Sequence, residues 1–148
     1  MPEKETLERA KQDKREGKAP STQAGEFVRE EIEHVREGKH GARSTKQAIA
    51  IGLAKARRAG VDLPPPEEGQ ASTRTRRQAA CDLRKGKSAS KTKKSAKRSR
   101  AASKALKREG HSAASKTALS RQAHRAAAKR SAKSRSRSAK KAAATRKK

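Results

Sequence analysis

The sequence predicts a small all-α protein, with a helical hairpin as its head and a basic tail that is largely disordered or only conditionally helical. Three observations lead to this fold class. Hydrophobic residues make up only 30% of the 148 residues and Phe27 is the one aromatic, so a core of domain size cannot form. Apolar residues recur at helical spacing within residues 21–61. Residues 69–148 hold 28 Lys and Arg against two acids, a net charge of +26.

Residues 1–20 form the first segment, a polar leader with a helix predicted over residues 3–16. Glu5 and Arg9 are spaced i,i+4, and Gly17 follows as a helix stop. The segment offers almost no apolar surface, and a short polar helix is marginal alone in water. We therefore interpret it as a fraying, solvated leader.

Residues 21–61 predict two antiparallel helices joined by a short loop. Gly38 ends the first helix, and Ser44 with Gln47 three residues later matches the capping box that begins the second. Gly60 then ends the second helix. Apolar positions on the facing stripes predict the hairpin core, which we assign to Phe27, Val28, Ile32, Val35, Ile49 and Leu53.

Charge favours the same pairing of the two helices. Residues 26–37 carry five acids, which we interpret as a solvated face that supports the helix, whereas residues 45–59 carry four bases and no acid. The apolar side chains are few for a hairpin of this length. We therefore expect the hairpin to gain stability from a homodimer, or from the packing of the leader or a later helix on it.

The basic tail, residues 71–148, follows a linker at residues 62–70 that three consecutive prolines stiffen. Gly86 and Gly110 are each followed by serines that can cap a helix, so both glycines are predicted to stop helices. The predicted helix-capable blocks are residues 73–85, 90–109 and 113–145.

The last of these blocks carries bases at i,i+4 spacing, a stripe formed by Arg121, Arg125, Lys129, Lys133, Arg137 and Lys141. Like charges at this spacing destabilise a helix by about 0.2–0.5 kcal/mol per pair, while the many alanines favour one. Phosphates that neutralise the stripe would remove the penalty. We therefore expect a free tail that is largely disordered and gains helix on a polyanion.

Several kinds of site are excluded by the sequence pattern. The segment 86–88 resembles the end of a phosphate-binding loop, but Cys81 stands where that motif needs glycine. Cys81 is the single cysteine, which excludes an internal disulfide. The histidines lack the spacing of a metal site, and we interpret all four as solvated: His34, His40, His111 and His124. We predict no enzyme, no catalytic residue, no cofactor, no metal and no small-molecule substrate.

The composition points to nucleic acid as the partner. Such cationic density needs a polyanion, and the lack of Trp and Tyr leaves phosphates rather than stacked bases to be recognised. The longest apolar run, residues 48–54, is too short for a membrane span, and no secretory signal opens the chain, so we expect a cytoplasmic protein. The predicted phosphate-binding residues are Arg74, Arg76, Arg77, Lys91, Lys93, Lys94, Lys97, Arg98, Arg100, Lys104, Lys107, Arg108, Arg121, Arg125, Lys129, Arg130, Lys133, Arg135, Arg137, Lys140 and Lys141.

Two blocks of the chain resemble a known family. Residues 21–61, which include Lys-His-Gly-Ala-Arg-Ser-Thr-Lys-Gln-Ala, resemble small basic bacterial proteins with a domain of unknown function. Residues 99–125 are similar to the tail that many members carry. The resemblance implies no catalytic residue, and some members bear a plasmid-stabilisation label. In composition alone the tail is also similar to the arms of linker histones and bacterial histone-like proteins.

The leading hypothesis is sequence-nonspecific nucleic-acid binding by phosphate neutralisation, histone-like and nucleoid-associated, with DNA favoured over RNA. Three alternatives stay open. The hairpin could act as a protein-interaction or plasmid-stabilisation factor, the chain could be a hydrophilic stress-protection protein, or the tail could bind ribosomal RNA.

Overall fold

The structure is a computed structural model that describes residues 1–88 and 95–147. The described chain is largely helical and contains no strand, which confirms the small all-α fold class. Its helices are α1 (Lys4–Arg15), α2 (Pro20–Arg36), α3 (Thr45–Arg58), α4 (Thr73–Lys87), α5 (Ala96–Lys107), α6 (Lys116–Ala128) and α7 (Ala132–Arg146), with a 3-10 turn at Ser112–Ala114. The expected disorder of the tail is not confirmed, since α4 to α7 lie within it.

The hairpin of α2 and α3 is the centre of the fold and has the most extensive helix–helix contact in the described part of the chain. The Ser44 side chain caps α3 by accepting a hydrogen bond from the Gln47 amide at 3.2 Å, as predicted. The reciprocal bond differs from the expected capping box. The Gln47 side chain accepts from the Arg43 amide at 2.8 Å rather than from that of Ser44.

Two apolar clusters hold the helices together. The first joins the C-terminal half of α2 and the start of α3 to the 3-10 turn; its buried members are Ile32, Val35, Ala42, Ala48, Ala113 and Ala114, with Val28 and Leu119 packed against them. The second joins α1 and the linker to the other end of the hairpin; its buried members are Ala10, Ala24, Phe27, Ala56 and Val61, with Leu7, Leu53 and Leu63 packed against them. Ile49 is half-buried and belongs to neither cluster.

The leader helix α1 packs on α2, so the interpretation of a fraying, solvated leader is wrong. Thr6 and Ala10 are buried in this contact. Arg9 pairs with Glu26, with 2.8 Å between Nε and Oε2, and the Glu3 amide donates to Glu30 Oε2 at 3.0 Å. Much of this packing consists of polar contacts. The sequence did not predict it because the expectation was based on the few apolar residues of the leader.

The acids of α2 are not all solvated, which corrects a second interpretation. Glu30 is 2% exposed and Glu31 is completely buried. Lys55 of α3 compensates both carboxylates, with Nζ 2.7 Å from Glu31 Oε2 and 3.3 Å from Glu30 Oε1. The predicted charge pairing of the two helices therefore takes place inside the fold rather than on its surface.

Helix α4 packs on α3, and Gly86 is part of that contact instead of a helix stop. Gly86 lies inside α4, and a Cβ on it would be 1.8 Å from the carbonyl oxygen of Arg57. Only a residue without a side chain fits there. An ion pair between Arg58 Nε and Asp82 Oδ1 at 2.8 Å fastens the same two helices.

The end of α5 and the segment between α5 and α6 dock on the head. The Gly41 amide donates to the Leu106 carbonyl at 2.9 Å, and the Ala42 amide donates to the Gly110 carbonyl at 3.0 Å. A Cβ on Gly41 would be 1.8 Å from the Glu109 carbonyl oxygen, so the two backbones touch. The middle of the tail is thus part of the folded head.

The predicted block 113–145 is not one helix. Helix α6 ends at Ala128, and α7 begins after Ser131, whose side chain accepts from the Ser134 amide at 3.2 Å and caps it. A serine at this point stabilises the first turn of a new helix more than the continuation of α6. The predicted stripe of bases is therefore divided between two helices. The beginning of block 90–109 lies outside the described residues.

Within the described residues, no helix combines the length and the apolar character that crossing a membrane requires.

Candidate nucleic-acid interface

Eighteen of the 21 predicted phosphate-binding residues lie in the described part of the chain, and Lys91, Lys93 and Lys94 lie outside it. The eighteen are distributed over four helices and their ends. They are Arg74, Arg76 and Arg77 on α4; Lys97, Arg98, Arg100, Lys104, Lys107 and Arg108 on α5 and at its end; Arg121, Arg125, Lys129 and Arg130 on α6 and in the break after it; and Lys133, Arg135, Arg137, Lys140 and Lys141 on α7.

These bases are open to solvent and electrostatically uncompensated. All of the eighteen are exposed except Arg76, which is half-buried and donates through Nε to the Pro66 carbonyl at 3.3 Å. Among the described residues, none of the eighteen takes part in an ion pair. The two acids of the tail do not neutralise them, since Asp82 pairs with Arg58 and Glu109 forms no described ion pair. The positive charge is therefore available to an external polyanion.

Two further hydrogen bonds and three apolar side chains show how the tail is held against the hairpin and the start of α3. Thr45 Oγ1 donates to the Ala113 carbonyl at 2.7 Å, and Arg36 Nε donates to the Ala114 carbonyl at 2.9 Å. The methyl groups of Ala113 and Ala114 are buried in the first apolar cluster, and Leu119 packs on it. These contacts fix the first turn of α6 beside the first turn of α3.

A cleft of about 490 Å³ lies between these two helix starts. Arg43 and Lys46 line it from the side of α3, and Arg121 and Arg125 line it from the side of α6. No acid lines the cleft, and within the described residues none of the four bases has an acidic partner. The docking of the tail therefore concentrates four positive charges around one concave surface.

The helix starts add to this positive potential. Ser44 and Ser115 each satisfy one amide of their own helix, since their hydroxyls accept from Gln47 and Ala118 at 3.2 Å. The remaining amides of each first turn have no acceptor within the helix, and the helix dipole places partial positive charge there. Exposed amides beside Arg and Lys side chains are the arrangement that binds phosphate groups.

Two of the four bases of the cleft, Arg121 and Arg125, are among the residues predicted from the basic tail. Arg43 and Lys46 are not, because they lie in a head of nearly neutral charge. The available signal was their position on either side of a capping serine. A base next to an N-cap lies close to the free amides of the helix start, even when the surrounding segment has no net positive charge.

The histidines and the cysteine are placed differently from one another. His111 and His124 are exposed, as interpreted, but the interpretation of His34 and His40 as solvated is wrong, because their side chains are only 13% and 18% exposed. Gly38 turns the chain after α2 and brings His34 and His40 together. Cys81 is a free, half-buried thiol on α4.

Comparison with known proteins gives one family match. Residues 11–67 match the model of a family of unknown function, DUF6496. This segment includes the whole hairpin, so the predicted resemblance of residues 21–61 to a domain of unknown function is confirmed at that level. No curated protein and no solved structure matches the chain.

Proposed function

We propose that this protein binds nucleic acid without sequence specificity, by neutralising backbone phosphates, and that DNA is its main target. The observation that carries the proposal is the net charge of +26 over residues 69–148, together with the exposure of every base of this segment that the structure describes except Arg76. Charge of this density releases condensed counterions from a duplex, which drives association. The protein would act in the cytoplasm as a nucleoid-associated, histone-like component and would catalyse no reaction.

The binding surface in this proposal has two parts. The cleft between α3 and α6 is a fixed site for backbone phosphate, because the fold holds the two helix starts and the backbone of the four bases in place. The exposed bases of α5 and α7 form a broader surface, since neither helix has a buried residue. One part would position the duplex and the other would add affinity.

The binding unit in this proposal is a single chain. Helices α1 and α4 and the 3-10 turn cover the hairpin within one molecule, and Met1 is the one large hydrophobic side chain exposed in the described residues. This covering supports a single chain as the binding unit over the homodimer that the sequence also allows.

The first test is the salt dependence of duplex binding by the full chain. If about ten phosphates are engaged, a plot of the logarithm of the affinity against the logarithm of the salt concentration has a slope of about −9. Fluorescence anisotropy with unrelated duplexes of equal length measures the slope and the lack of sequence preference. A slope near zero would refute the electrostatic mechanism.

The second test separates the cleft from charge in general. One variant carries Arg43→Gln, Lys46→Gln, Arg121→Gln and Arg125→Gln, and a control removes the same charge from α7 at Lys133, Arg135, Lys140 and Lys141. A fixed site predicts that the cleft variant loses about tenfold more affinity than the control, or about 1.4 kcal/mol. Equal losses would mean that the cleft binds no better than an exposed helix.

A further inference from the structure

We propose that Glu31, His34 and His40 form a binding site for a divalent transition metal ion, with Zn²⁺ as the ion that the ligand set fits best. The ligand atoms of the three side chains all lie within 4.8 Å of one another. This site is separate from the cleft and does not depend on the proposed nucleic-acid binding. It lies at the end of α2, where the chain turns towards α3.

Local structure explains why these three residues meet. Glu31 and His34 are spaced i,i+3 on α2, so their side chains lie on the same face of the helix. Helix α2 ends at Arg36, and Gly38 follows with φ 75°, a left-handed conformation that reverses the chain. The reversal returns His40 to the face that carries the other two residues. The sequence pattern is Glu-x2-His-x5-His.

The distance between two of the ligands already suits a tetrahedral metal. His40 Nε2 lies 3.2 Å from Glu31 Oε1. Zinc binds nitrogen and carboxylate oxygen at about 2.0–2.1 Å, so two ligands of a tetrahedral ion lie about 3.3 Å apart. A metal ion therefore fits against these two atoms, and the ligand atom of His34, which lies within 4.8 Å of both, would move towards the ion to complete the three-ligand set.

Hydrogen bonds at the other ring nitrogens prepare both histidines for metal binding. His40 Nδ1 lies 3.0 Å from the Gly41 carbonyl, which can only accept, so Nδ1 carries a proton and Nε2 is the ring nitrogen left for a metal ion. His34 Nε2 lies 2.9 Å from Glu3 Oε1, which leaves His34 Nδ1 as the ligand. Metal-bound histidines usually have such a partner on the second nitrogen.

The surroundings of Glu31 also favour a cation. Its carboxylate is completely buried, and Oε1 accepts no hydrogen bond within the described residues. Lys55 compensates it through Oε2 and is shared with Glu30, which leaves Oε1 directed at His40. With Glu3 and Glu30 nearby, a divalent ion would not create an excess of positive charge. One carboxylate and two imidazoles select zinc over the hard ions Mg²⁺ and Ca²⁺.

Titration of the full chain with Co²⁺, followed by displacement with Zn²⁺, tests the proposal. A Cys81→Ser background removes the one thiol that could compete for the ion. We expect one Co²⁺ per chain with the intense visible absorption of a tetrahedral site, and loss of that absorption when Zn²⁺ is added. Nitrogen chemical shifts of the imidazole rings should identify His40 Nε2 and His34 Nδ1 as the ligands.

The chain supplies its own matched control. His34→Ala with His40→Ala should weaken binding at least tenfold, whereas His111→Ala with His124→Ala removes two exposed histidines and should leave it unchanged. Because the first variant alters a buried cluster, helix content is measured in parallel, and the milder His40→Gln should also lose tetrahedral absorption while staying folded. The proposal would be overturned if the two double variants lost Co²⁺ affinity equally, or if the Co²⁺ spectrum of the unaltered chain were octahedral.

Discussion

Replacement of Gly41 by alanine is the sharpest single perturbation of this fold. The new Cβ would lie 1.8 Å from the Glu109 carbonyl oxygen, 2.3 Å from its carbon and 2.7 Å from the Gly110 oxygen. All three atoms belong to the backbone, so no side-chain rotation can relieve the overlap. We expect the variant to release the segment between α5 and α6 from the head.

The structure sets the size of the effect. Four hydrogen bonds join the head to residues 106–114, two from the amides of Gly41 and Ala42 and two from the side chains of Arg36 and Thr45. At about 0.5–1.5 kcal/mol each, they contribute roughly 2–6 kcal/mol. The chain entropy regained on release offsets part of this, so we expect the free energy of unfolding to fall by about 2–4 kcal/mol.

Denaturant unfolding and amide hydrogen exchange measure this effect. In the unaltered protein the Ala42 amide should exchange slowly, and in Gly41→Ala it should exchange as fast as an open loop. Gly110→Ala is the control, because a Cβ at that position meets no atom within 4 Å and its φ is not left-handed. An unchanged unfolding midpoint with a protected Ala42 amide in Gly41→Ala would show that the reasoning about the docked segment is wrong.

Three other variants test separate contacts. Gly86→Ala should displace α4 from α3, because its Cβ would lie 1.8 Å from the Arg57 carbonyl oxygen, and proteolysis should then cut within α4 first. Ser44→Ala removes the cap of α3 and should cost about 1 kcal/mol of unfolding free energy in chemical denaturation. Burial raises the pKa of Glu30, but the hydrogen bond from the Glu3 amide and the nearby Lys55 outweigh it and hold the pKa below its usual 4.5. A lowered pKa in the folded state stabilises the protein above that pH and less as the pH falls, so melting temperatures of Glu30→Gln should decline less in acid than those of the unaltered chain.

The hairpin could be predicted from the sequence because its signals are local. A stripe of apolar residues, a capping serine and a glycine at each helix end lie within a few residues of the structure that they specify. Gly38 and Gly60 do have left-handed φ values, and Ser44 does cap α3. Ile49, which shares the predicted stripe but belongs to neither apolar cluster, shows that helical spacing alone does not decide burial.

The docking of the tail could not be predicted in the same way. Its contacts are made by alanine methyls, backbone carbonyls and glycines, which leave no apolar periodicity in a segment of Ala, Ser, Lys and Arg. One signal was nevertheless present. Asp82 is one of two acids in the tail, and it is 1% exposed and paired with Arg58. This acid, isolated in a strongly basic segment, therefore marked a specific contact with α3.

The docked tail also changes what the positive charge can do. A disordered arm with the same composition would spread its bases to reduce their mutual repulsion. Here the hydrogen bonds of Thr45 and Arg36 and the burial of Ala114 hold Arg121 and Arg125 beside the bases of the head, although like charges oppose that arrangement. Packing energy is therefore used to keep four cations around one cleft. Under the proposed function, an anion that enters the cleft would relieve this repulsion and gain donors that the fold has already brought together, so the fold as well as the net charge would contribute to phosphate binding.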